Sequence, residues 1–302
     1  MEMHQIRYFL AVARTGNFSR AARECHVSQP SLSQQILKLE EELGEQLFDR
    51  QRSGTTLTPA GELFLPHAEQ ILREVDEALR RVSSSGSVVR GRLVLGVLPT
   101  IAPYLLPRLL GPFMKAYPEA EVVVHEEVTP RIVEALQDGK MDLGLVSLPV
   151  AGAGLKSEEW FEEPLLLVLP KAHRLAQSDE VVPMRDIERE QFILMQDGHC
   201  LADQALTFCT MKGDFAPRVS CRSAQVQTLL ALVEAGMGVS IVPQMAVTQN
   251  AGVAFRTMCP APSRKIGFLW KRNRFRSLVA QRFVEWAKAY KGIPPKSKDF
   301  GG

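Results

Sequence analysis

The sequence has little that would mark a secreted, membrane-bound or disulfide-stabilised protein. Among its 302 residues are only five cysteines, an odd number that cannot form a complete disulfide framework. The chain opens MEMHQIRYFL, without the basic lead and apolar run of a signal peptide, and no later run is as long as a membrane span. We therefore expect a cytoplasmic protein whose cysteines stay reduced unless they take part in redox chemistry.

Motifs for nucleotides and metals are also missing. There is no GxxxxGK[ST], no GxGxxG after a strand, no HExxH and no CxxC, so we expect neither a cofactor nor a metal site. The net charge of +2 gives no sign of nucleic-acid binding, but the charge is uneven. From Arg256 to the end there are twelve Lys or Arg and two acids, which indicates either a solvated surface or a contact with nucleic acid or an acidic partner.

Residues 1–58 have the pattern of a winged helix-turn-helix. Two short helical patterns precede SQPSLSQQILKLEEEL, in which Ser28 is a good N-cap and Pro30 fits the first turn. The predicted third helix buries four apolar side chains, Leu32, Ile36, Leu39 and Leu43. Beyond it, LGEQLFDRQRSGTTLTPAG has two short apolar runs around a turn, which predicts a two-stranded wing.

The exposed face of the third helix carries short amide and hydroxyl side chains, which suit base edges in a major groove. The candidate DNA contacts are Gln29, Pro30, Ser31, Ser33, Gln34 and Lys38, with Arg50 and Arg52 on the wing for phosphates. The arrangement AVARTGNFSRAA, VSQPSLSQQI, LE, LG, LF and LTPAG resembles the signature of LysR-type transcriptional regulators. The resemblance implies a regulator that binds double-stranded promoter or operator DNA, works with RNA polymerase and is not an enzyme.

A long helix is predicted over residues 59–85, beginning at the Thr58-Pro59 start signal. Leu65, Leu72 and Leu79 repeat every seven residues, which is typical of a seam that packs on another helix. That helix could belong to the same chain, but we favour a homodimer because winged modules usually read paired half-sites. The family also forms homotetramers. Residues 86–91 are predicted to be a hinge.

Residues 92–302 alternate strand and helix patterns, which predicts an α/β fold with parallel-type sheets. This layout resembles the regulatory domain of LysR-type regulators, a bilobed fold like that of periplasmic binding proteins. The resemblance implies a first lobe of residues 92–163 and 265–302 and a second lobe of residues 164–264. Ligands in such sheets bind at the carboxyl ends of strands.

Two of the five cysteines lie in the stretch GHCLADQALTFC, nine residues apart. On a helix they would lie on opposite faces about 13 Å apart, whereas a disulfide needs Cα atoms within about 7 Å. A bond between Cys200 and Cys209 would therefore require local unwinding. Cys200 follows His199 at the predicted helix start, so we expect a lowered thiol pKa. On spacing alone, two unrelated cysteines remain an alternative.

The surrounding sequence MxDGHCLxDQAxxFC, with LPTIAPYLLP and HEEVT, is similar to the hydrogen-peroxide-sensing branch of the LysR family. The resemblance implies that Cys200 is the peroxidatic cysteine and Cys209 the resolving one, with thiol reductants resetting the disulfide. It also implies a peroxide pocket made of Thr100, Thr129, His199, Asp203 and Arg264. Ala202 departs from the pattern, because better-known relatives have arginine there. Cys221 and Cys259 have no motif around them, and Cys25 is interpreted as a small core residue of the helix-turn-helix and not as a sensor.

Two other functions remain open. A LysR-type regulator could bind a metabolite between its lobes, with Ser223, Gln225 and the segment VEAGMGVSIVP lining the pocket. A thiol peroxidase fused to a DNA-binding module is a more distant alternative, which steady consumption of peroxide would reveal.

Overall fold

The computed structural model describes residues 1–51, 54–83, 89–247, 252–272 and 276–290. The chain divides into two compact units, Met1–Ser87 and Val88–Gly302. Residues 86–88 of the predicted hinge and the basic tail from residue 291 lie outside the described residues. Within the described part of the chain, no helix is long and apolar enough to cross a membrane.

The first unit is a winged helix-turn-helix followed by a long helix, as the sequence predicts. Its elements are α1 (Met3–Thr15), α2 (Phe18–Glu24), α3 (Gln29–Leu43), β1 (Phe48–Gln51), β2 (Gly54–Leu57) and α4 (Pro59–Ser83). The β1 and β2 strands pair antiparallel and form the wing. Phe9 is fully buried and packs its ring on Phe48 and Phe64, with ring centroids 5.2 and 5.0 Å apart.

Local signals set the helix boundaries in this unit. Gly16 ends α1 in the left-handed conformation at φ 62°, and the Asn17 side chain accepts from the Arg20 amide to begin α2. Ser28 caps α3 by accepting from the Ser31 amide. The prediction that Leu43 is buried is wrong, because α3 ends at this residue and leaves it 40% exposed. Leu47 and Phe48, which follow the helix, are buried instead.

The α4 helix begins where the sequence predicts, since the Thr58 hydroxyl accepts from the Gly61 amide at 3.1 Å. Leu65 and Leu72 are partly buried against the core of the first unit, whereas Leu79 is 60% exposed. The heptad seam thus changes along the helix from positions packed on the first unit, Leu65 and Leu72, to an exposed position, Leu79. Pairing of two chains through this seam stays a prediction.

The second unit holds the remaining helices and strands. They are β3 (Gly91–Val97), α5 (Ala102–Ala116), β4 (Ala120–Glu126), α6 (Thr129–Gln137), β5 (Leu143–Leu148), β6 (Leu155–Pro170), β7 (Val182–Pro183), β8 (Gln191–Met195), α7 (Cys200–Gly213), β9 (Arg218–Ser223), α8 (Val226–Glu234), β10 (Ser240–Pro243), β11 (Val253–Arg256), β12 (Met258–Cys259), β13 (Ser263–Lys271) and α9 (Leu278–Ala289). Short 3₁₀ turns lie at Arg174–Ala176, Met184–Ile187 and Gln244–Ala246.

The main sheet has the strand order β10-β6-β13-β5-β3-β4, with β11 also paired to β6. Only part of it is parallel, as β3 runs parallel to β4 and β5, whereas β13, β10 and β11 pair antiparallel. The expectation of parallel-type sheets is therefore wrong for four of the six strand pairings described in this sheet. Two of the antiparallel pairings arise because β13 runs against both β5 and β6. The other two arise because β10 and β11 run against β6.

Two hydrophobic cores define two lobes in this unit. The first-lobe core is built from residues of β3, α5, β5, β13 and α9, and the second-lobe core from residues between Leu165 and Met258. The β6 strand serves both lobes, because it pairs with β13 up to Pro164 and with β10 from Leu165 onward. The candidate functional site lies where β6 changes partners.

Candidate functional site

The α7 helix begins at Cys200 and carries both cysteines of the GHCLADQALTFC stretch. Gly198 precedes it at φ 89°, a left-handed conformation that favours glycine, and His199 is the N-cap residue. Cys200 packs against the first-lobe core, whereas Cys209 is fully buried in the second-lobe core. The two thiols therefore face the cores of different lobes from opposite faces of one helix.

Cys200 is a thiol in a partly charged but water-poor environment. Burial is the largest influence and raises its pKa. The Arg264 guanidinium, the Thr129 hydroxyl and the Leu201 amide all lower the pKa, while the Asp203 carboxylate raises it. The expectation of a lowered thiol pKa is therefore wrong, because desolvation of the thiolate outweighs the helix start and the donors around it.

Burial also shifts the pKa values of two other groups in this segment, Cys209 and His199. Burial raises the pKa of the Cys209 thiol to about 11, so Cys209 stays protonated inside its core. Burial lowers the pKa of His199, which keeps the imidazole neutral near the start of α7. Ala202 is only 1% exposed and belongs to the second-lobe core. A side chain at that position therefore points away from the Cys200 thiol.

A buried network holds the cation that acts on Cys200. The side chain of Arg264 is fully buried, and its Nε donates to Glu163 Oε2 at 2.8 Å. Its Nη1 donates to Thr100 Oγ1 at 2.8 Å, and its Nη2 donates to the Thr100 carbonyl at 3.1 Å. The second oxygen of Glu163 accepts from the Met245 amide at 2.7 Å. The network thus connects β6, β13, the end of β3 and the turn after β10.

A cleft of about 480 Å³ opens beside Cys200. Its walls include Thr129, Ser147, Gly198 and Asp203, together with residues of α6 and the segment after β5. Thr100 and Thr129 follow the parallel strands β3 and β4, so both lie at the carboxyl edge of the sheet, where α/β folds bind ligands. The Thr129 hydroxyl is buried and has no hydrogen-bond partner of ordinary geometry among the described residues.

The structure brings most of the predicted pocket residues together. Cys200, Thr129 and Asp203 line the cleft. Arg264 and Thr100 are hydrogen-bonded to each other in the buried network, from which the guanidinium lowers the pKa of Cys200. Cys209 is not at the cleft. Of the residues suggested for a metabolite pocket, Ser223 and Gln225 bond to each other at the start of α8 and are not part of the cleft wall.

Sequence reasoning missed three residues of this site: Glu163, Ser147 and Gln204. Glu163 pairs with Arg264, and Ser147 accepts a hydrogen bond from Gln204. Only Gln204 had a local signal, since a residue four positions after Cys200 shares its helix face. The partners of the other two are far along the chain.

Most of the predicted DNA contacts are exposed on α3. Gln29, Pro30, Ser31, Gln34 and Lys38 are exposed, and Ser33 is partly buried. Arg50 lies on β1, and its side chain is outside the described part of the structure, as is all of Arg52. Five of the six predicted contacts on α3 are therefore exposed.

Comparison with known proteins agrees with this two-unit architecture. Residues 3–62 match the bacterial regulatory helix-turn-helix protein, lysR family, and residues 86–291 match the LysR substrate binding domain. The chain belongs to the LysR family of transcriptional regulators. LysR regulators bind DNA and form oligomers, and they are not enzymes.

Two curated LysR relatives match nearly the whole chain. The DNA-binding transcriptional dual regulator OxyR of Escherichia coli strain K12 is 35% identical over 288 residues, covering 92% of this chain and 94% of the relative. An uncharacterized HTH-type transcriptional regulator, YcgK of Bacillus subtilis, is 32% identical over 306 residues, covering 95% and 94%. Sequence identity thus places the chain near OxyR without separating it from other members of the family.

Solved OxyR structures have the same fold. A full-length cysteine-to-aspartate variant of OxyR from Pseudomonas aeruginosa matches with a TM-score of 0.72 and 27% identity, covering 96% of this chain and 94% of that one. A cysteine-to-serine mutant of Corynebacterium glutamicum OxyR with hydrogen peroxide bound matches with a TM-score of 0.62 and 30% identity, covering 95% and 94%. The chain is therefore an OxyR-like LysR regulator.

Proposed function

We propose that this LysR regulator senses hydrogen peroxide through Cys200 and Cys209. The observation that carries the proposal is that one helix exposes Cys200 to a cleft beside Thr129 and Arg264 and holds Cys209 in the core of the other lobe. Such a pair cannot bond while α7 is intact, so oxidation is coupled to a change of structure. The OxyR relatives, one of them with peroxide bound, support the same reading.

The proposed chemistry has two steps and a reset. The Cys200 thiolate attacks one oxygen of hydrogen peroxide, the O–O bond breaks, and the leaving hydroxide takes a proton to give water. Cys200 is then a sulfenic acid. The Cys209 thiol attacks its sulfur, a second water leaves, and a disulfide forms. Two reductant thiols of the cytoplasm reduce the disulfide and are themselves oxidised to a disulfide.

The described residues have distinct roles in this scheme. Because burial keeps most Cys200 protonated, the reaction passes through a minor thiolate that Arg264 and Thr129 stabilise. Thr100 fixes the guanidinium of Arg264, and His199 is a neutral group at the helix start. Asp203 opposes the thiolate and limits its population.

The output of the switch is DNA binding. We propose that α3 reads base edges in the major groove and that the exposed part of the α4 seam joins two chains into a homodimer. The dimer binds a promoter either alone or as half of a homotetramer, and it contacts RNA polymerase. Lys38→Ala is expected to lower the slope of log affinity against log salt by about 1, since one phosphate contact is lost. Gln34→Ala is expected to weaken the cognate site more than random DNA.

The experiment that tests the proposal is DNA footprinting with and without peroxide on four forms of the full-length protein. These are the wild type, Cys200→Ser, Cys209→Ser and the control Cys221→Ser. The wild type and the control are expected to change footprint with peroxide, and the other two variants are not. If Cys209→Ser still changed its footprint without consuming a second thiol, the disulfide step would be wrong.

A metabolite-responsive regulator is the second candidate, and the cleft itself favours it. A volume of about 480 Å³ lies within the usual size of small-molecule sites. In that case Cys200→Ser would leave regulation unchanged, and a small molecule protecting the second unit from heat would identify the effector.

A further inference from the structure

A hydrogen bond between Gln204 and Ser147 connects α7 to the opposite lobe. Gln204 lies one turn after Cys200, and its Nε2 donates to the Ser147 hydroxyl at 2.8 Å. Ser147 is on β5, only 3% exposed, in the sheet of the first lobe. Other residues of the same helix, such as Leu201 and Ala205, are buried in the second-lobe core. The Gln204 side chain therefore ties a second-lobe helix to the first lobe.

The same side chain also carries an unfavourable feature. Gln204 Oε1 is buried and has no hydrogen-bond partner among the described residues. A buried carbonyl without a partner opposes the folded arrangement, because it has lost its bonds to water. The hydrogen bond to Ser147 holds α7 in place, while the unpaired oxygen favours its release.

The position of the contact along the helix matters for disulfide formation. Gln204 lies between Cys200 and Cys209, so the turns that must unwind before the two sulfurs meet are the turns that Gln204 anchors. We propose that the Gln204–Ser147 hydrogen bond is an interlobe latch, which holds α7 helical and slows the step from the Cys200 sulfenic acid to the disulfide. The inference rests on the proposed function, because it assigns the control of its second step.

The latch can be tested without peroxide. In the reduced full-length protein, Ser147→Ala removes the acceptor and leaves the Gln204 amide buried and unpaired. We expect amide hydrogen exchange in residues 201–209 to become about fivefold faster, the order of magnitude for one hydrogen bond. The matched control is Ser240→Ala, because the Ser240 hydroxyl is also buried but donates to the Ile193 carbonyl within the second lobe. An unchanged α7 relative to this control would overturn the latch.

A second variant separates the hydrogen bond from a general loss of packing. Gln204→Leu removes both the amide donor and the unpaired carbonyl and replaces them with an apolar side chain of similar size. Exchange in α7 is therefore expected to be slower in Gln204→Leu than in Ser147→Ala. The reverse order would mean that the contact holds α7 by packing alone and would also overturn the latch.

Rapid-quench mass spectrometry with peroxide then tests the timing. Because Ser147 also lines the cleft, the two steps are timed separately. In Ser147→Ala the conversion of the Cys200 sulfenic acid to the Cys200–Cys209 disulfide is expected to be about fivefold faster than in the wild type, whatever the rate at which the sulfenic acid forms. If the wild type forms no disulfide, the peroxide function fails, while the exchange result still decides on the latch in the reduced state. If the wild type forms it and Ser147→Ala forms it at the same rate, the latch is wrong.

Discussion

Arg264 and Glu163 form an ion pair inside the second unit, with 2.8 Å between Nε and Oε2 and side chains 0% and 4% exposed. The pair lies on adjacent strands where β6 changes from β13 to β10 as its partner. Both groups have further partners, Thr100 for the guanidinium and the Met245 amide for the carboxylate. The cation that stabilises a Cys200 thiolate is thus also part of the support between the lobes.

Arg264→Leu is expected to destabilise the reduced protein strongly. The free energy of unfolding should fall by about 3–5 kcal/mol, because the Glu163 carboxylate remains buried without its partner. Urea denaturation of the full-length protein measures this. The double variant Arg264→Leu/Glu163→Leu should recover much of the loss. A single variant that lost less than about 1 kcal/mol would show that Glu163 finds another partner or water.

The reactivity of Cys200 is expected to depend steeply on pH. Its pKa is raised above the ordinary thiol value, so the thiolate is a minor form at neutral pH and its population grows as pH rises. Alkylation of Cys200 should accelerate roughly tenfold per pH unit from about pH 6 to about pH 8, without a plateau. Mass spectrometry after timed alkylation measures this. A plateau beginning below about pH 7 would contradict the raised pKa.

Thr129→Val is expected to separate reactivity from stability. The Thr129 hydroxyl has no ordinary hydrogen-bond partner among the described residues, so a methyl group of similar size should change the free energy of unfolding by less than about 1 kcal/mol. The thiolate loses a donor, so the pKa of Cys200 should rise and its alkylation at neutral pH should slow. Thermal melting and timed alkylation check the two effects. Faster alkylation would remove Thr129 from the site.

Glu40→Ala is expected to disturb the wing of the DNA-binding module. The buried Glu40 carboxylate accepts from the amides of Leu47 and Phe48 at 2.8 and 3.2 Å. Without it two buried amides lose their partner, which should cost about 2–3 kcal/mol and speed hydrogen exchange over residues 47–57. Glu40→Gln, which keeps an acceptor oxygen, serves as the control and should cost less. Equal effects of the two variants would mean that the carboxylate does not hold the wing.

Local patterns in the sequence predicted the features that depend on local structure. Ser28 and Thr58 cap helices where expected, and the wing strands pair around the predicted turn. The stretch LADQALTFC correctly indicated a helix that carries both Cys200 and Cys209. Such features depend on residues within a few positions of each other, and the sequence shows those directly.

The chemistry of the site was less predictable, because it depends on burial by distant residues. The expectation of a lowered Cys200 pKa took account of the helix start but not of the first-lobe core packed on the thiol. The Ser147–Gln204 contact joins residues 57 positions apart, and Glu163 meets Arg264 across 101 positions. No local pattern indicates contacts between such distant residues.

The central claim is that peroxide joins Cys200 to Cys209. The most direct test is mass spectrometry of the reduced full-length protein after a brief peroxide pulse, with free thiols alkylated before digestion. The account predicts a Cys200–Cys209 crosslinked peptide at low peroxide, while Cys25, Cys221 and Cys259 remain alkylated. If both cysteines of α7 stay alkylated while the other thiols begin to oxidise, the account is contradicted and the cleft should be screened for a metabolite.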